Sequence, residues 1–190
     1  MKKLQILDIG CGPQPIAQII FKPIIDQGYE YEVTGVDINP ENNPTVVHDL
    51  REPFPEDMLG KYDLILASHV FEHIDRNKVI ETFKNVAATL APGGELWAVV
   101  PSLEWCAEKI LANQNYREVL LCLYGSSPSH MEHKVGFTLP TLRDVMKMTG
   151  LIVRKAYQTP FQITSTEADG SVTPLVAFQN IVIGARPEQE

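Results

Sequence analysis

The stretch Leu4-Gln5-Ile6-Leu7-Asp8-Ile9-Gly10-Cys11-Gly12 joins an apolar run to a glycine turn. The apolar positions in this run show no clean alternation, which is typical of a central parallel strand covered on both faces. The turn that ends the run lets the backbone come close to a ligand, because two of its residues lack side chains. A helical pattern over residues 16–25 follows directly. Strand, glycine turn and helix together predict the first half of a nucleotide-binding βαβ unit.

Asp8 stands in the last turn of this apolar run. A buried carboxylate is costly unless hydrogen-bond donors satisfy it. One interpretation is that Asp8 accepts bonds from the amides of its own glycine turn. The other adds a cationic ligand nearby. The residues leave both interpretations open.

The composition is that of an ordinary globular protein, with 44% hydrophobic and 21% charged residues in a chain of 190. The net charge is -8 and no run of Lys or Arg appears, which argues against nucleic acid as a partner. No targeting segment is visible, and no apolar run approaches the roughly 18 residues that a membrane span needs. Three cysteines favour a reducing cytoplasm. The oligomeric state stays open.

Further apolar runs end in polar residues and alternate with helical patterns. Strands are predicted over residues 31–36, 45–48, 62–67 and 96–100, and a helical repeat over 79–90 separates the last two. Later helical patterns span residues 104–124 and 139–149, the second with Thr138 near its start. A final pair, residues 152–157 and 176–185, reads as a hairpin. This order predicts an α/β fold: a Rossmann-like, doubly wound sheet of about seven strands between two helical layers, mostly parallel with an antiparallel last strand. We expect a single domain over 1–190, with a lid-like helical and loop insertion at about 102–138.

Asp37 lies at the end of the second predicted strand, about 25 residues after the glycine turn. At this spacing a βαβ unit offers a carboxylate to a ribose diol, since a carboxylate can accept two hydroxyl hydrogen bonds. The alternative is a turn or helix cap, because Asn39-Pro40 follows. The preceding strand and glycine turn favour the ribose role.

The ordered set of motifs resembles the class I S-adenosylmethionine-dependent methyltransferases, and within them the subgroup called type 11. The resemblance is carried by Leu7-Asp8-Ile9-Gly10-Cys11-Gly12, Val36-Asp37, Asp49-Leu50, Tyr62-Asp63-Leu64-Ile65, Phe71-Glu72-His73-Ile74 and Leu90-Ala91-Pro92-Gly93-Gly94. It covers residues 4–102 well and is also visible over 133–151. One departure is Gln14, which stands where the family often has a third glycine.

The resemblance implies S-adenosylmethionine as cofactor and a role for each matching position. The glycine turn would pass beneath the methionine part, and Asp37 would take the ribose hydroxyls. Asp49 and the Leu50 amide would face adenine, and the residues after the fourth strand would lie near the sulfonium. The implied cofactor-binding set is Asp8, Ile9, Gly10, Cys11, Gly12, Asp37, Ile38, Asp49, Leu50, Ser68, His69 and Val70.

Methyl transfer mainly requires an acceptor atom held in line with the methyl–sulfur bond. A base helps only if that atom must lose a proton. The candidate bases are His69, His73 and His133, because imidazole titrates near neutral pH; each also suits a structural or lining role. Candidate acceptor-binding residues are Trp105, Tyr124 and His130, all in the insertion. The missing basic patch favours a small-molecule acceptor, with methylation at O, N or C left open.

Three alternatives compete with this interpretation. His69-Val70-Phe71-Glu72-His73 matches the H-x-x-E-H of inverted zinc proteases, although it follows a buried strand directly. An NAD-dependent oxidoreductase would need a glycine where Pro15 stands. A non-catalytic cofactor-binding domain would share every motif. On balance the sequence predicts a methyltransferase and assigns no metal site. Cys11 is interpreted as a small residue that fills a tight loop and not as a reactive thiol.

Overall fold

The computed structural model describes residues 3–114, 116–126, 131–166 and 172–188. The strands are β1 (Leu4–Ile9), β2 (Tyr31–Asp37), β3 (Val46–Val47), β4 (Tyr62–Ser68), β5 (Leu90–Pro101), β6 (Ile152–Thr166) and β7 (Val172–Ala185). The α-helices are α1 (Ala17–Ile20), α2 (Lys22–Ile25), α3 (Val79–Ala88), α4 (Leu103–Leu111), α5 (Tyr116–Tyr124) and α6 (Leu139–Met148).

The seven strands form one sheet in the order β3-β2-β1-β4-β5-β7-β6. Strands β1 to β5 pair in parallel, and β7 runs antiparallel to both of its neighbours. The predicted fold class is therefore confirmed. The chain changes direction across the sheet between β1 and β4. In open α/β sheets, the carboxyl ends of the strands at such a switch point form the ligand crevice.

Strand β1 is buried on both faces, as its continuous apolar run predicted. Leu7 and Ile9 belong to the core on the side of α3 and α6, where Phe83 and Leu142 also lie. Ile6 faces the other way and packs with residues of the first helical segment, including Ala17 and Phe21. Alternate residues of one strand thus stabilise both helical layers, because strand side chains alternate in direction.

The first helix differs from the single helical pattern predicted over residues 16–25. The chain instead forms two four-residue helices, α1 and α2, which meet at Phe21. Pro23 lies in the first turn of α2, where a missing backbone N–H costs no helical hydrogen bond. Phe21 is fully buried, so tertiary packing fixes the break.

The final hairpin is longer than the pattern predicted and extends past the sheet. Strand β5 ends where Pro101 pairs with Gln179, while β6 and β7 stay paired from there to Thr166 and Val172. The projecting part packs against the insertion. Its contact cluster consists of Trp105, Cys106, Val119 and Cys122 of α4 and α5 together with Ala177 of β7, with Phe161 and Phe178 alongside.

Two hydroxyl caps fix the ends of the insertion. The Ser102 hydroxyl accepts a hydrogen bond from the Trp105 amide (3.1 Å) at the start of α4. Thr138 begins α6, as predicted, and forms a reciprocal capping box with Thr141. None of the helices in the described ranges is both long and apolar enough to cross a membrane.

Glu104 connects three elements at this end of the sheet. Its carboxylate accepts hydrogen bonds from the Leu139 amide of α6 (2.5 Å) and from the Asn180 side chain of β7 (3.0 Å). Partial burial raises the pKa of Glu104, but these bonds outweigh it and leave the pKa lowered. The ionised carboxylate therefore holds α4, α6 and β7 together. The sequence analysis gave Glu104 no role.

Candidate active site

The glycine turn after β1 contains two residues in the left-handed backbone region, Gly10 (φ +64°) and Gly12 (φ +57°). A Cβ on Gly10 would lie 2.4 Å from Cγ2 of Val70, so this position has no room for a side chain. A Cβ on Gly12 would meet no atom within 4 Å. Gly10 is therefore needed for packing against the loop after β4, whereas Gly12 borders open space at the sheet's carboxyl edge.

Asp37 lies beside this turn, although 25 residues separate it from Gly12. One carboxylate oxygen accepts the Gly12 amide hydrogen (2.9 Å) and the other accepts that of Asn39 (2.8 Å). Each oxygen has a second lone pair, so the carboxylate can still accept two hydroxyl hydrogen bonds. Ile38 follows with an exposed side chain at the same edge.

Asp8 is buried, and its carboxylate faces the start of the first helix. Oδ2 accepts hydrogen bonds from the amides of Ile16 (2.6 Å) and Ala17 (2.8 Å). Burial raises the pKa of Asp8 and these bonds only partly offset that effect. The structure agrees with the interpretation that backbone amides donate hydrogen bonds to Asp8, but these amides belong to the helix start and not to the glycine turn. A direct cofactor contact of Asp8 stays a prediction.

Cys11 fills the turn between the two glycines, and Ile9 behind it is fully buried. The Sγ of Cys11 lies 2.9 Å from the position that a Cβ on Gly35 would occupy, so the thiol packs closely on β2. Burial, followed by the charges of Asp37 and Asp8, raises the pKa of Cys11 to about 11. The thiol is thus protonated at neutral pH and poorly nucleophilic, in agreement with a loop-filling role.

Asp49 follows the short strand β3 and forms an ion pair that the sequence analysis missed. The Arg51 Nε lies 2.9 Å from Oδ1 and 3.0 Å from Oδ2 of Asp49. The Arg51 hydrogen bond is the main cause of a lowered Asp49 pKa. An adenine amino group at Asp49 would therefore share the carboxylate with Arg51. The neighbouring Leu50 is buried, and its carbonyl accepts a hydrogen bond from Asn85 (3.1 Å).

His69 follows β4 in the left-handed region, with φ +55°. Its Nδ1 lies 3.2 Å from Glu72 Oε1 and its Nε2 lies 2.9 Å from Gln179 Oε1. Burial lowers the pKa of His69, but the hydrogen bond and charge of Glu72, with Gln179, outweigh it and raise the pKa. Both ring nitrogens of His69 thus already have hydrogen-bond partners, and its role as a base stays a prediction.

The partners of His69 could not be read from the sequence. Gln179 lies 110 residues away on β7, and the His69 ring packs beside Phe161 of β6 with centroids 4.9 Å apart. Nothing in the local pattern of either residue marks a site. Ser68 and Val70 flank His69, as the resemblance requires; Ser68 is half-buried at the end of β4 and Val70 contacts Gly10.

His73 and His133 come together although 60 positions separate them in the chain. Their ring centroids are 4.9 Å apart. His73 Nδ1 lies 3.0 Å from the Glu132 carbonyl, and His133 Nδ1 lies 2.8 Å from the Cys122 carbonyl. Burial is the main reason that the pKa of His133 is lowered. Both predicted histidines thus belong to one cluster with Glu72.

The zinc-protease alternative requires His69 and His73 to share one face of a helix. The segment instead forms a short 3₁₀-helix, Phe71–His73, and His69 lies outside it. Both ring nitrogens of His69 already have partners. The predicted motif therefore does not form its metal-binding geometry.

The candidate acceptor residues lie in different environments. Trp105 is buried in the contact cluster of the insertion, with its ring 6.3 Å from that of Phe178. Tyr124, at the end of α5, is largely exposed. His130 lies outside the described residues. Their roles stay predictions.

A second concavity, of about 590 Å³, opens at the opposite end of the sheet. Its lining includes Gly60, which precedes β4, and Arg186, which follows β7. The amino ends of the parallel strands meet there, whereas the predicted cofactor-binding residues lie at or next to the carboxyl ends. This concavity is therefore separate from the candidate site.

Comparison with known proteins agrees with the fold and motifs. A family model described as a methyltransferase domain matches residues 2–156. A methyltransferase from Methanosarcina mazei, described as SAM-dependent, has a TM-score of 0.64 at 16% identity over 100% of this chain and 95% of its own. No curated protein sequence matches significantly.

Two further solved structures share the fold. The 1,6-didemethyltoxoflavin-N1-methyltransferase of Burkholderia thailandensis, solved with S-adenosylhomocysteine, has a TM-score of 0.58 at 13% identity over 98% of this chain and 72% of its own. The CMeT domain of the citrinin polyketide synthase has a TM-score of 0.59 at 14% identity over 99% of this chain. This chain spans about half (48%) of that structure's chain.

The sheet order, the glycine turn and the family match define a class I methyltransferase fold. The chain belongs to the methyltransferase-domain family, as the resemblance implied.

Proposed function

We propose that this protein transfers the methyl group of S-adenosylmethionine to a small-molecule acceptor at the carboxyl edge of its sheet. The observation that carries the proposal is the pairing of Asp37 with the Gly12 amide (2.9 Å). It brings the predicted ribose ligand and the predicted methionine-binding turn to one place. The bond also leaves the carboxylate with lone pairs that face outward from the sheet.

The residues at this edge fit the cofactor in chemistry. The open space above Gly12 suits the amino-acid arm, and Asp37 suits the vicinal hydroxyls of the ribose. Asp49, held by Arg51, would accept a hydrogen bond from the adenine amino group. When bound, the cofactor supplies a methyl group on a sulfonium, so the protein need not build a nucleophile of its own. The protein's task is orientation.

His69 is a positioning residue in this scheme. Its contacts with Glu72 and Gln179 fix the imidazole at the end of β4, next to the turn residue Val70. Because both ring nitrogens already have partners, we assign His69 to holding this edge in shape and not to accepting the acceptor's proton. We therefore propose that His69 shapes the site and that proximity accounts for most of the rate.

The acceptor proposal rests on charge and on relatives. The chain carries a net charge of -8 with no basic run, unlike a nucleic-acid enzyme. The Burkholderia thailandensis relative is named for a small heterocyclic substrate. We propose that the insertion at about 102–138 covers the acceptor side as a lid and sets selectivity, and that Tyr124 and the projecting hairpin contribute to it.

The test compares Asp37→Ala with Asp26→Ala by calorimetric titration of S-adenosylhomocysteine. Loss of the ribose partner should weaken binding by about 1–3 kcal/mol. Asp26 is a matched control, since it lies on the surface of α2 and pairs with Lys22. Equal affinities in the two variants would remove Asp37 from the site. Release of S-adenosylhomocysteine during incubation with a panel of small O-, N- and C-nucleophiles then tests turnover.

A further inference from the structure

Glu72 is the most deeply buried carboxylate whose hydrogen bonding is incomplete among the described residues. Its side chain is 2% exposed. Oε1 contacts His69, but Oε2 has no hydrogen-bond partner in the described part of the chain. A buried carboxylate oxygen without a donor costs considerable free energy, so its presence needs a physical explanation.

Two imidazoles lie close to this carboxylate. One ligand atom from each of Glu72, His73 and His133 lies within 4.8 Å of the other two. In both histidines the Nδ1 contacts a backbone carbonyl, which can only accept a hydrogen bond. The Nδ1 atoms must therefore carry protons, which leaves Nε2 as the nitrogen of each ring that can offer a lone pair to an ion.

This arrangement is the one that metal sites in proteins use. A histidine ligand generally donates its second ring nitrogen to a carbonyl or carboxylate, which fixes the ring and the tautomer. A ligating carboxylate is likewise held by an outer hydrogen bond, and His69 supplies that bond to Glu72 Oε1. The outer contacts of all three side chains are thus already present.

We propose that Glu72, His73 and His133 bind one divalent transition-metal ion of the zinc class. Two imidazole nitrogens and one carboxylate oxygen form a ligand set that zinc accepts, with a fourth position left for water. Ligand atoms 2.0–2.1 Å from such an ion lie roughly 3.3 Å apart. The three side chains must therefore close by up to about 1.5 Å, which is within the reach of side-chain rotation.

The ion would connect parts of the protein that are distant in sequence. Glu72 and His73 follow β4, whereas His133 belongs to the loop between α5 and α6. Backbone bonds already join these segments, because the amides of Lys134 (2.7 Å) and Val135 (3.2 Å) donate to the Glu72 carbonyl. Metal binding would fix this junction and occupy the nitrogens that a base role of His73 or His133 requires.

The test measures zinc binding by the untagged, chelator-stripped full chain, by equilibrium dialysis and metal analysis. We expect one ion per chain, and Co²⁺ in its place should give the intense visible bands of a four-coordinate ion. His133→Ala and Glu72→Gln should each weaken binding by more than about 100-fold, above the 10–100-fold typical of losing an outer hydrogen bond. His48→Ala is the control, since His48 packs on Phe54 outside the cluster.

A second measurement uses only the wild-type protein, in case the variants do not fold. Zinc should protect His73 and His133, but not His48, from acylation by diethyl pyrocarbonate, as read by mass spectrometry. Substoichiometric binding, binding unchanged in folded His133→Ala and Glu72→Gln, or no selective protection would overturn the proposal. None of these readouts involves the cofactor, so failure of the methyl-transfer proposal would leave this result intact, and the reverse also holds.

Discussion

Gly10 shows how one residue joins the two halves of the nucleotide edge. Its positive φ and its contact with Val70 both exclude a side chain, whereas Gly12 has only the first constraint. The glycine pattern alone predicted that the backbone approaches another group closely, but it did not identify that group. The structure shows that at Gly10 the close neighbour is the protein's own loop after β4, and that the space at Gly12 is open.

We expect Gly10→Ala to destabilise the protein more than Gly12→Ala. A left-handed alanine costs roughly 1–2 kcal/mol at either position. Crowding against Val70 should add about 1–3 kcal/mol at Gly10 alone. Urea unfolding of both variants measures the difference. Val70→Ala, combined with Gly10→Ala, should recover part of the loss; a strictly additive double variant would show that Val70 is not the cause.

Other site residues were only partly predictable at this scale. The position of Asp37 followed from the strand pattern, and the structure confirms its closeness to the glycine turn. Gln179 gave no signal, because a side-chain partner across the sheet depends on packing that local periodicity does not encode. Arg51 and Glu72 lie only two and three positions from their partners Asp49 and His69, but neither pairing is marked by a periodic pattern. The same is true of the histidine cluster, whose members come from separate loops.

At the scale of elements, the carboxylate of Glu104 controls how the insertion joins the sheet. It binds the start of α6 and the middle of β7 from its place on α4. Helices α4 and α6 were predicted from periodicity, but their mutual orientation was not. That orientation depends on polar bonds between segments about 35 and 76 residues apart in the chain.

The lowered pKa of Glu104 predicts a stability that depends on pH. A carboxyl whose folded pKa is lowered stabilises the protein fully above its unfolded pKa, near 4.5, and loses that contribution as the pH falls through the folded value. Glu104→Gln should therefore cost about 1–3 kcal/mol at pH 7. The loss of stability caused by this substitution should become smaller in acid, and denaturation curves recorded from pH 7 to pH 3 measure this change.

Glu108→Gln provides the control for this measurement. Glu108 lies on the same helix with an exposed side chain. We expect the Glu108→Gln variant to have the same free energy of unfolding as the wild type at each pH. A difference between wild type and Glu104→Gln that stays constant with pH would mean that shape, and not charge, explains the effect.

For the whole molecule, the sequence predicted the architecture better than the details. The continuous apolar run of β1 indicated a strand buried on both faces, and the predicted hairpin indicated the antiparallel last strand; burial and strand pairing confirm both. The pattern missed the break at Phe21 and the length of the final hairpin. Both depend on tertiary contacts, since Phe21 is buried under the sheet and the hairpin tip packs on the insertion.

Cofactor binding should stabilise the folded chain as a unit. S-adenosylhomocysteine at about one hundred times its Kd should add about 2.7 kcal/mol. For a chain of this size that corresponds to a Tm increase of roughly 5–10 °C. Differential scanning fluorimetry measures it, with NAD as the comparison ligand and Asp37→Ala as the weakened variant. A response to NAD alone would contradict the assignment.

Neighbouring residues of β7 serve two different assemblies. Gln179 reaches His69 on one side of the sheet, and Asn180 reaches Glu104 on the other. Side chains along a strand alternate in direction, so a slip of the hairpin by a single residue would exchange the two. Such a misfolded molecule would lose both the His69–Gln179 contact and the Glu104–Asn180 contact. Two separate contacts thus depend on the correct register of the last two strands, and partly misassembled copies would be inactive rather than altered in specificity.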